Sequence, residues 1–158
     1  MSNIKCSITS METIQSSKEA KDCFDKLTQL QWDEVDHRRK TSNLNLDFDK
    51  YVSMGDAGMH FMVLAYTNED IIGYMSIFIT ESLHTREITA LTDTIFIRKE
   101  YRKGGLGSDM IEAAEKECKS RGASNFMVTF KNDSPHPQIV ENNNFFSYET
   151  IYAKYIGD

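Results

Sequence analysis

The stretch that decides the fold is residues 95–108, with the sequence IFIRKEYRKGGLGS. It begins with apolar residues typical of a strand and continues through a basic turn into a glycine-rich segment. From Leu106 the apolar residues recur at helical spacing, which predicts a helix over 106–121 with one buried face. Gly122 is expected to end that helix. The stretch therefore predicts a strand, a glycine loop and a helix in direct succession.

A helix that begins directly after glycines leaves backbone N–H groups unpaired at the positive end of its dipole, and such an end attracts anions. The turn before it adds four cations and one acidic residue: Arg98, Lys99, Arg102 and Lys103, with Glu100. A P-loop would need Gly-Lys-Ser/Thr, and a dinucleotide fingerprint would need a third glycine where Met110 stands. We expect a phosphate-bearing ligand of another class, unless the glycines only make a tight connection.

One further pattern lies in this stretch, Arg102-x-x-Gly105-x-Gly107, after a strand and at the start of a helix. It resembles the acetyl-coenzyme A (acetyl-CoA) signature of the GNAT superfamily of N-acetyltransferases. Gly73, after two isoleucines, and Asn144, before the last predicted strand, resemble two further family positions. The family has glycine at the second, but asparagine also tolerates a left-handed backbone. The end of the chain resembles small GNAT proteins from bacteriophages.

The predicted elements follow the GNAT order, β-α-α-β-β-β-α-β-α-β, so the resemblance covers nearly the whole chain and is strongest over 90–154. It implies a mixed α/β single domain over 1–158, with a twisted mixed sheet of about six strands and helices on both faces. Strands are expected at 5–8, 60–66, 71–79, 88–97, 125–130 and 145–155. Helices are expected at 16–38, 48–57, 106–121 and 138–143. The strands flanking the third helix are expected to be parallel.

The composition is ordinary for a globular domain: of 158 residues, 40% are hydrophobic and 27% are charged. Three cysteines, Cys6, Cys23 and Cys118, lack Cys-x-x-Cys spacing, so we expect neither a disulfide framework nor a metal site. No apolar run is long enough to span a membrane or to act as a leader peptide. We expect a soluble, cytoplasmic protein that is a monomer or a homodimer.

Charge is divided unevenly along the chain. Residues 1–97 carry nine Lys/Arg and fifteen Asp/Glu, a net charge of −6, whereas residues 98–158 carry nine of each. An acidic half repels nucleic acid and attracts cations, in a salt-dependent way. We therefore expect an amine-bearing small molecule or protein as substrate and no nucleic acid, although an acidic surface that only maintains solubility explains the charge equally well.

The resemblance implies that acetyl-CoA is the acyl donor and that loop backbone N–H groups hold its pyrophosphate. The loop residues are Arg102, Lys103, Gly104, Gly105, Leu106, Gly107 and Ser108. The Arg102 side chain is expected to support the loop or the phosphates. A family bulge in the preceding strand leaves Ile95, Phe96 and Ile97 to bond pantetheine, and the Ile97 N–H is expected to polarise the thioester carbonyl. Asn132 touches pantetheine in this scheme, or is simply a turn residue that ends a strand.

Transfer to an amine requires a base, because a lysine-like amine has a pKa of about 10.4. Asp93 is the leading candidate because it lies on the strand before the glycine loop, four residues before Ile97, where an aspartate is unusual; any burial there would raise its pKa towards a useful range. A purely structural Asp93 is the alternative, with Glu87 and His84 as other candidate bases. The family's tyrosine acid is missing: Val140 takes its position. Solvent or a nearby group, such as His136 or Tyr148, would then protonate the thiolate.

These features predict an acetyl-CoA-dependent N-acetyltransferase that acts on a primary amine. Direct transfer in a ternary complex is expected, because the sequence contains no motif for a nucleophilic serine or cysteine. Two alternatives stay open: a degenerate acyl-CoA-binding module with a regulatory or interaction role, and a GNAT-fold enzyme that modifies nucleic acid. Turnover separates the first from an enzyme, and nucleic-acid binding at moderate salt separates the second.

Overall fold

The structure, a computed structural model, describes residues 3–36, 38, 42–131, 137–154 and 156. The strands are β1 Lys5–Thr9, β2 His60–Tyr66, β3 Ile71–Glu81, β4 Ile88–Ile97 and β5 Asn125–Met127. The helices are α1 Met11–Gln15, α2 Lys18–Val35, α3 Phe48–Asp56, α4 Leu106–Ser120 and α5 Pro137–Asn142, with a 3-10 turn at Lys99–Tyr101. The result is the mixed α/β fold expected from the sequence.

The five strands form one mixed sheet in the order β1-β2-β3-β4-β5, so each strand pairs with its neighbours in the chain. The first four strands are antiparallel. β5 runs parallel to β4, as expected for two strands joined through the crossover helix α4. This places the end of β4 directly before the turn into α4.

Local capping explains where the helices begin and end. The Ser17 side chain accepts a hydrogen bond from the Ala20 N–H at 3.3 Å and caps α2. Gly122 has φ +83° after α4, and the Ala123 N–H donates to the Cys118 carbonyl at 3.0 Å. The end of α4 at Gly122 agrees with the sequence-based prediction, whereas α2 is shorter than the predicted 16–38. The short helix α1, which Ser10 caps, was not predicted.

Two apolar clusters hold the helices against opposite faces of the sheet. On one face α4 packs on β2, β3 and β4 through a buried set that includes Met75, Ile77, Met110, Ile111 and Cys118. On the other face α1, α2 and α3 pack on the same strands through a set that includes Met11, Phe24, Leu27, Met62, Tyr74 and Phe96. Among the described helices, none is long and apolar enough to span a membrane.

The sixth strand predicted at 145–155 is wrong for the described residues, because 145–154 contain neither strand nor helix. Several apolar side chains there are exposed: Phe146, Tyr148, Ile151 and Tyr152. The strand predicted at 125–130 is also shorter, since its ladder with β4 ends at Met127. A strand needs a partner edge, and the separation of β5 from β4 is a long-range feature that local β-propensity does not report.

Candidate active site

The site is built around a bulge in β4. Along the β3–β4 ladder, Ser76 lies opposite Thr94, and Ile77 lies opposite Thr92. Asp93 is therefore the extra residue on β4, without a cross-strand partner in this ladder. A bulge bends its strand and increases the local twist, which turns the end of β4 away from β5. The expected bulge in the strand before the glycine loop is confirmed.

β4 and β5 separate next to this bulge. Their parallel ladder joins 89–91 to 125–127. Two hydrogen bonds between Thr129 and Thr92 follow at its end. The Thr129 N–H donates to Thr92 Oγ1 at 2.9 Å, and Thr129 Oγ1 donates to the Thr92 carbonyl at 3.0 Å. Beyond this point, no described strand pairs with that edge of β4. We call this opening the β4–β5 gap.

Backbone groups of β4 face the β4–β5 gap. The Arg98 N–H donates to the Ile72 carbonyl on β3 at 2.9 Å. Consecutive peptide groups of a strand point to opposite edges, so the N–H and carbonyl of Ile97 face away from β3, and those of Ile95 do the same. The Ile97 carbonyl already accepts a bond from the Arg102 Nε–H at 2.8 Å. The N–H groups of Ile95 and Ile97 are thus directed towards the gap.

The glycine loop, residues 102–108, follows at the mouth of this gap. Gly104 and Gly105 have φ values of +106° and +89°, and a Cβ on either would meet no atom within 4 Å. Gly105 is the N-cap of α4 and offers no side-chain cap. Among the described residues, no hydrogen-bond acceptor pairs with the N–H groups of 104–107. The loop therefore presents a row of unpaired donors at a helix N-terminus, which suits an anion.

The Arg102 side chain supports the loop. Besides its bond to Ile97, it forms an ion pair with Glu34 of α2 at 2.5 Å and lies 5.3 Å from the centre of the Phe96 ring. Arg98 similarly pairs with Asp70 at 2.7 Å. The expectation that four cations reinforce the field at the loop is therefore wrong for these two arginines, because nearby carboxylates offset their charge.

Two glycines allow close packing around the loop. A Cβ at Gly107 would lie 2.4 Å from Cδ1 of Ile139, so this glycine lets α5 approach α4. A Cβ at Gly73 would lie 3.0 Å from the Phe96 carbonyl oxygen and 3.2 Å from Cγ1 of Ile97, so this glycine lets β3 approach the end of β4. The role of Gly107 thus includes helix packing, which the signature alone did not indicate.

Asp93 lies on the helix α2–α3 side of the bulge, and its carboxylate is exposed. Burial is therefore not the means by which this carboxylate would be tuned as a base, because a bulged residue leaves the pleat and turns towards the cleft. The Tyr51 hydroxyl of α3 donates to its Oδ2 at 3.3 Å. Burial, and then the charge of Asp93, raises the pKa of Tyr51 to about 12, so this hydroxyl stays protonated at neutral pH.

A buried histidine lies behind Tyr51. His60 is 2% exposed, and its Nε2 is hydrogen-bonded to the Ser76 hydroxyl at 2.8 Å. Its ring centre lies 4.9 Å from that of Tyr51 and 5.0 Å from that of Phe78. Burial lowers the pKa of His60 to about 4, so the ring is neutral at pH 7. Sequence reasoning missed Tyr51, His60 and Ser76, which come from three elements and share no motif.

The bulge and the start of the gap, at Asp93, Thr94 and Ile95, line a cleft of about 1720 Å³ between α2, α3 and the open edge of the sheet. Trp32 and Asp36 also line it, and hydrogen bonds from the Arg38 side chain hold the pKa of Asp36 to about 2. No cluster of three or more potential metal ligands occurs among the described residues. The cleft thus places an acidic, aromatic wall beside the bulge of β4, and the glycine loop lies further along the chain from the same strand.

The sequence profile of the acetyltransferase (GNAT) family matches residues 24–136, which include the bulged strand and the glycine loop. The chain belongs to the GNAT family of acetyltransferases. GNAT enzymes are acyltransferases that use acetyl-CoA as cosubstrate, and this chain is an enzyme of that class. No curated protein matches its sequence significantly.

Solved structures share the GNAT fold at low identity. An aminoglycoside acetyltransferase from an uncultured soil metagenomic sample, in complex with sisomicin, is 13% identical with a TM-score of 0.73, covering 98% of this chain and 95% of that one. Glucosamine-6-phosphate N-acetyltransferase from Arabidopsis thaliana is 16% identical with a TM-score of 0.72, covering 98% and 99%. A ribosomal-protein-alanine N-acetyltransferase from Brucella melitensis biovar Abortus 2308 is 10% identical with a TM-score of 0.63, covering 99% of each chain.

The remaining candidate residues of this GNAT enzyme lie apart from the bulge or outside the described residues. Glu87 and His84 are exposed in the hairpin at the opposite end of β4 from the glycine loop. Asn132 and His136 lie outside the described residues. Val140, which the sequence resemblance places where the family has a tyrosine, lines the cleft, and Tyr148 is 72% exposed.

Proposed function

We propose that this GNAT enzyme transfers the acetyl group of acetyl-CoA to a primary amine by direct transfer in a ternary complex. The observation that carries the proposal is the juxtaposition of two sets of backbone donors. The N–H groups of 104–107 lie at the N-terminus of α4, and those of Ile95 and Ile97 face the β4–β5 gap beside it. An elongated ligand with a pyrophosphate and an amide-bearing arm matches this arrangement.

The glycine loop would hold the pyrophosphate, because its donors are backbone N–H groups and its positive-φ glycines keep side chains out of the way. Arg102 is assigned a supporting role: it ties the loop to the Ile97 carbonyl and to Glu34. Ile95, Phe96 and Ile97 would line the arm of acetyl-CoA along the gap. Acetyl-CoA supplies an activated thioester when it is bound.

A backbone N–H facing the gap would polarise the thioester carbonyl. Ile97 is the position expected from the sequence, and the structure adds Ile95, whose N–H faces the same edge. At a rise of about 3.3 Å per residue, Ile95 lies roughly 7 Å along the strand from Asp93 and Ile97 roughly 13 Å. Nearness to the base favours Ile95 for this role. Removing one preorganised donor of this kind costs about 3 kcal/mol in other enzymes.

Asp93 would accept the proton of the amine, directly or through a water. Its carboxylate is exposed to the cleft, carries negative charge that attracts an ammonium group, and lies on the strand that forms the gap. An amine acceptor is supported by the printed activities of structural relatives, which include aminoglycoside and glucosamine-6-phosphate acetyltransferases and a ribosomal-protein-alanine acetyltransferase. The acceptor is thus an amine-bearing small molecule or protein.

Direct transfer is supported by the state of the cysteines. Cys118 is 2% exposed in the α4 core, and burial raises its pKa to about 11. Burial also raises the pKa of the Cys6 and Cys23 thiols. Because a thiolate, not a thiol, is the effective nucleophile, these groups are poor candidates for an acetyl-enzyme intermediate.

Two measurements test the proposal in sequence. Acetyl-CoA at 100 times its dissociation constant should stabilise the protein by about 2.7 kcal/mol, seen as a rise in melting temperature. Thiol release is then followed with a panel of aminoglycosides, amino sugars, polyamines and peptides. The proposal fails if millimolar acetyl-CoA leaves the melting temperature unchanged.

The base is tested by Asp93→Asn, which keeps the size of the side chain and leaves the glycine loop intact. Acetyl-CoA affinity should be preserved while transfer slows by ~10² to 10⁴. The loss should shrink as pH rises, because the amine then deprotonates unaided. A wild-type rate for the variant from pH 6 to 9 would remove Asp93 from the mechanism.

A module that binds acetyl-CoA without turnover is the second candidate, and one observation favours it. Val140, which cannot donate a proton, lines the cleft where many relatives have tyrosine. Acetyl-CoA binding with no thiol release for any amine of the panel would establish this alternative. Turnover with any one amine would exclude it.

A further inference from the structure

The carboxylate of Asp93 is held by a residue that is distant in sequence. Tyr51 lies 42 residues earlier, on α3, and its hydroxyl donates to Oδ2 of Asp93 at 3.3 Å. A bulge residue lacks a cross-strand neighbour, so its side chain has more rotational freedom than one within a regular ladder. A hydrogen bond to one carboxylate oxygen restricts that freedom and leaves the other oxygen, Oδ1, to meet an incoming amine.

The ring of Tyr51 is itself fixed by the rings of His60 and Phe78, of which His60 is buried. It stacks near Phe78, with ring centres 6.1 Å apart and planes 20° from parallel, and it contacts the His60 ring at 4.9 Å. His60 is anchored by the Ser76 hydroxyl at 2.8 Å. We call Tyr51, His60 and Ser76 the Asp93 support.

Ser76 connects the Asp93 support to the bulge in β4. Ser76 is the last residue of β3 before the register shift, and its strand partner is Thr94, which follows Asp93. The residues that shape the bulge and the residues that orient its side chain are therefore coupled through one buried cluster. Burying a polar side chain costs free energy, and His60 is only 2% exposed. We therefore infer that His60 serves the fold or the site.

We propose that Tyr51 is a positioning residue for acetyl transfer: its hydroxyl orients the Asp93 carboxylate towards the amine. This inference rests on the proposed function of Asp93 as the base. The other titratable or charged groups near Tyr51 in the described residues are Arg38, Tyr74 and His60. Since burial keeps the phenol protonated, it acts only as a donor at working pH.

Tyr51→Phe tests the inference, because phenylalanine keeps the ring contacts with His60 and Phe78 and removes only the hydroxyl. We expect unchanged acetyl-CoA affinity, an unchanged KM for the amine and a kcat about 10-fold lower, because the hydroxyl orients the reacting carboxylate without binding either substrate. Tyr66→Phe, which removes the hydroxyl of a half-buried tyrosine on β2, is the matched control and should keep the wild-type kcat.

A double variant separates orientation from general damage. If Tyr51 acts through Asp93, then Tyr51→Phe combined with Asp93→Asn should be no slower than Asp93→Asn alone. Additive losses, or a lower melting temperature for Tyr51→Phe with an unchanged kcat, would overturn the positioning role and leave the proposed function standing. A wild-type protein that releases no thiol with any amine would overturn both, and so the two failures are distinguishable.

Discussion

The glycine loop and the Asp93 support lie at neighbouring places on β4 but are built by different means. The loop uses backbone groups of consecutive residues, with positive-φ glycines at 104 and 105. The support uses side chains of Tyr51, His60 and Ser76, which come from α3, β2 and β3. A backbone-built site tolerates changes of charge and pH but not of volume. A site built from buried polar side chains has the opposite sensitivity.

Acidification should destabilise the Asp93 support before it affects the glycine loop. The pKa of His60 is about 4 in the fold and about 6.5 in the unfolded chain, so its contribution to stability is complete above pH 6.5 and is lost as pH falls to 4. We expect the free energy of unfolding of the wild type to fall by about 3 kcal/mol between pH 7 and 4, measured by urea unfolding. His60→Gln should lose less over this interval, and the exposed-site control His84→Gln should behave like the wild type. Equal pH dependence in all three proteins would contradict this.

A larger side chain at Gly107 should disturb the glycine loop before it affects the Asp93 support. In Gly107→Val the new side chain collides with Ile139, and we expect overpacking to destabilise the fold by about 1–3 kcal/mol, measured by thermal unfolding. Acetyl-CoA binding should also weaken, measured by calorimetry, because the N-terminus of α4 then shifts with the loop donors. Ile139→Ala in the same protein should recover part of the affinity. Failure of that rescue would place the effect of Gly107 in the loop backbone instead of the packing of α5.

Gly73→Ala should disturb both regions to a smaller extent, because it pushes the end of β4 away from β3 at Phe96 and Ile97. We expect a destabilisation of about 1–2 kcal/mol and a kcat about 10-fold lower, measured by thermal unfolding and thiol release. Gly55→Ala is the control, since its Cβ would meet only the His60 carbonyl oxygen at 3.9 Å. Full activity of Gly73→Ala would show that the position of Ile97 is not critical.

Glu34→Gln should have the smallest effect. It removes the ion pair from α2 to Arg102 but preserves the Arg102 bond to the Ile97 carbonyl. We expect the free energy of unfolding to fall by about 0.2–1 kcal/mol. Acetyl-CoA affinity should change two- to five-fold, and this change should shrink with added salt. The exposed pair of Lys116 and Glu112 provides the control, and Lys116→Gln should leave binding unchanged. A large, salt-independent effect of Glu34→Gln would mean that α2 shapes the loop directly.

The sequence by itself determined the order of most elements, the glycine loop, the crossover helix and the family, because each depends on contiguous residues. The positive φ of Asn144 and the end of α4 at Gly122 likewise depend on residues that are close in the chain. Predictions failed where a distant partner decides the outcome. The strand predicted at 145–155 requires a paired edge, and the charges of Arg98 and Arg102 are offset by Asp70 and Glu34.

Only the tertiary structure decided how the acceptor side is arranged. The bulge turns Asp93 out towards the cleft, and α3 brings Tyr51 within hydrogen-bond distance. His60 occurs at the start of an apolar run, where the sequence indicates only a strand; its neutrality and its bond to Ser76 follow from burial between α3 and the sheet. The physical reason is the range of the interactions: backbone conformation and dipoles act between neighbours in the chain, whereas desolvation and side-chain hydrogen bonds depend on which elements pack together.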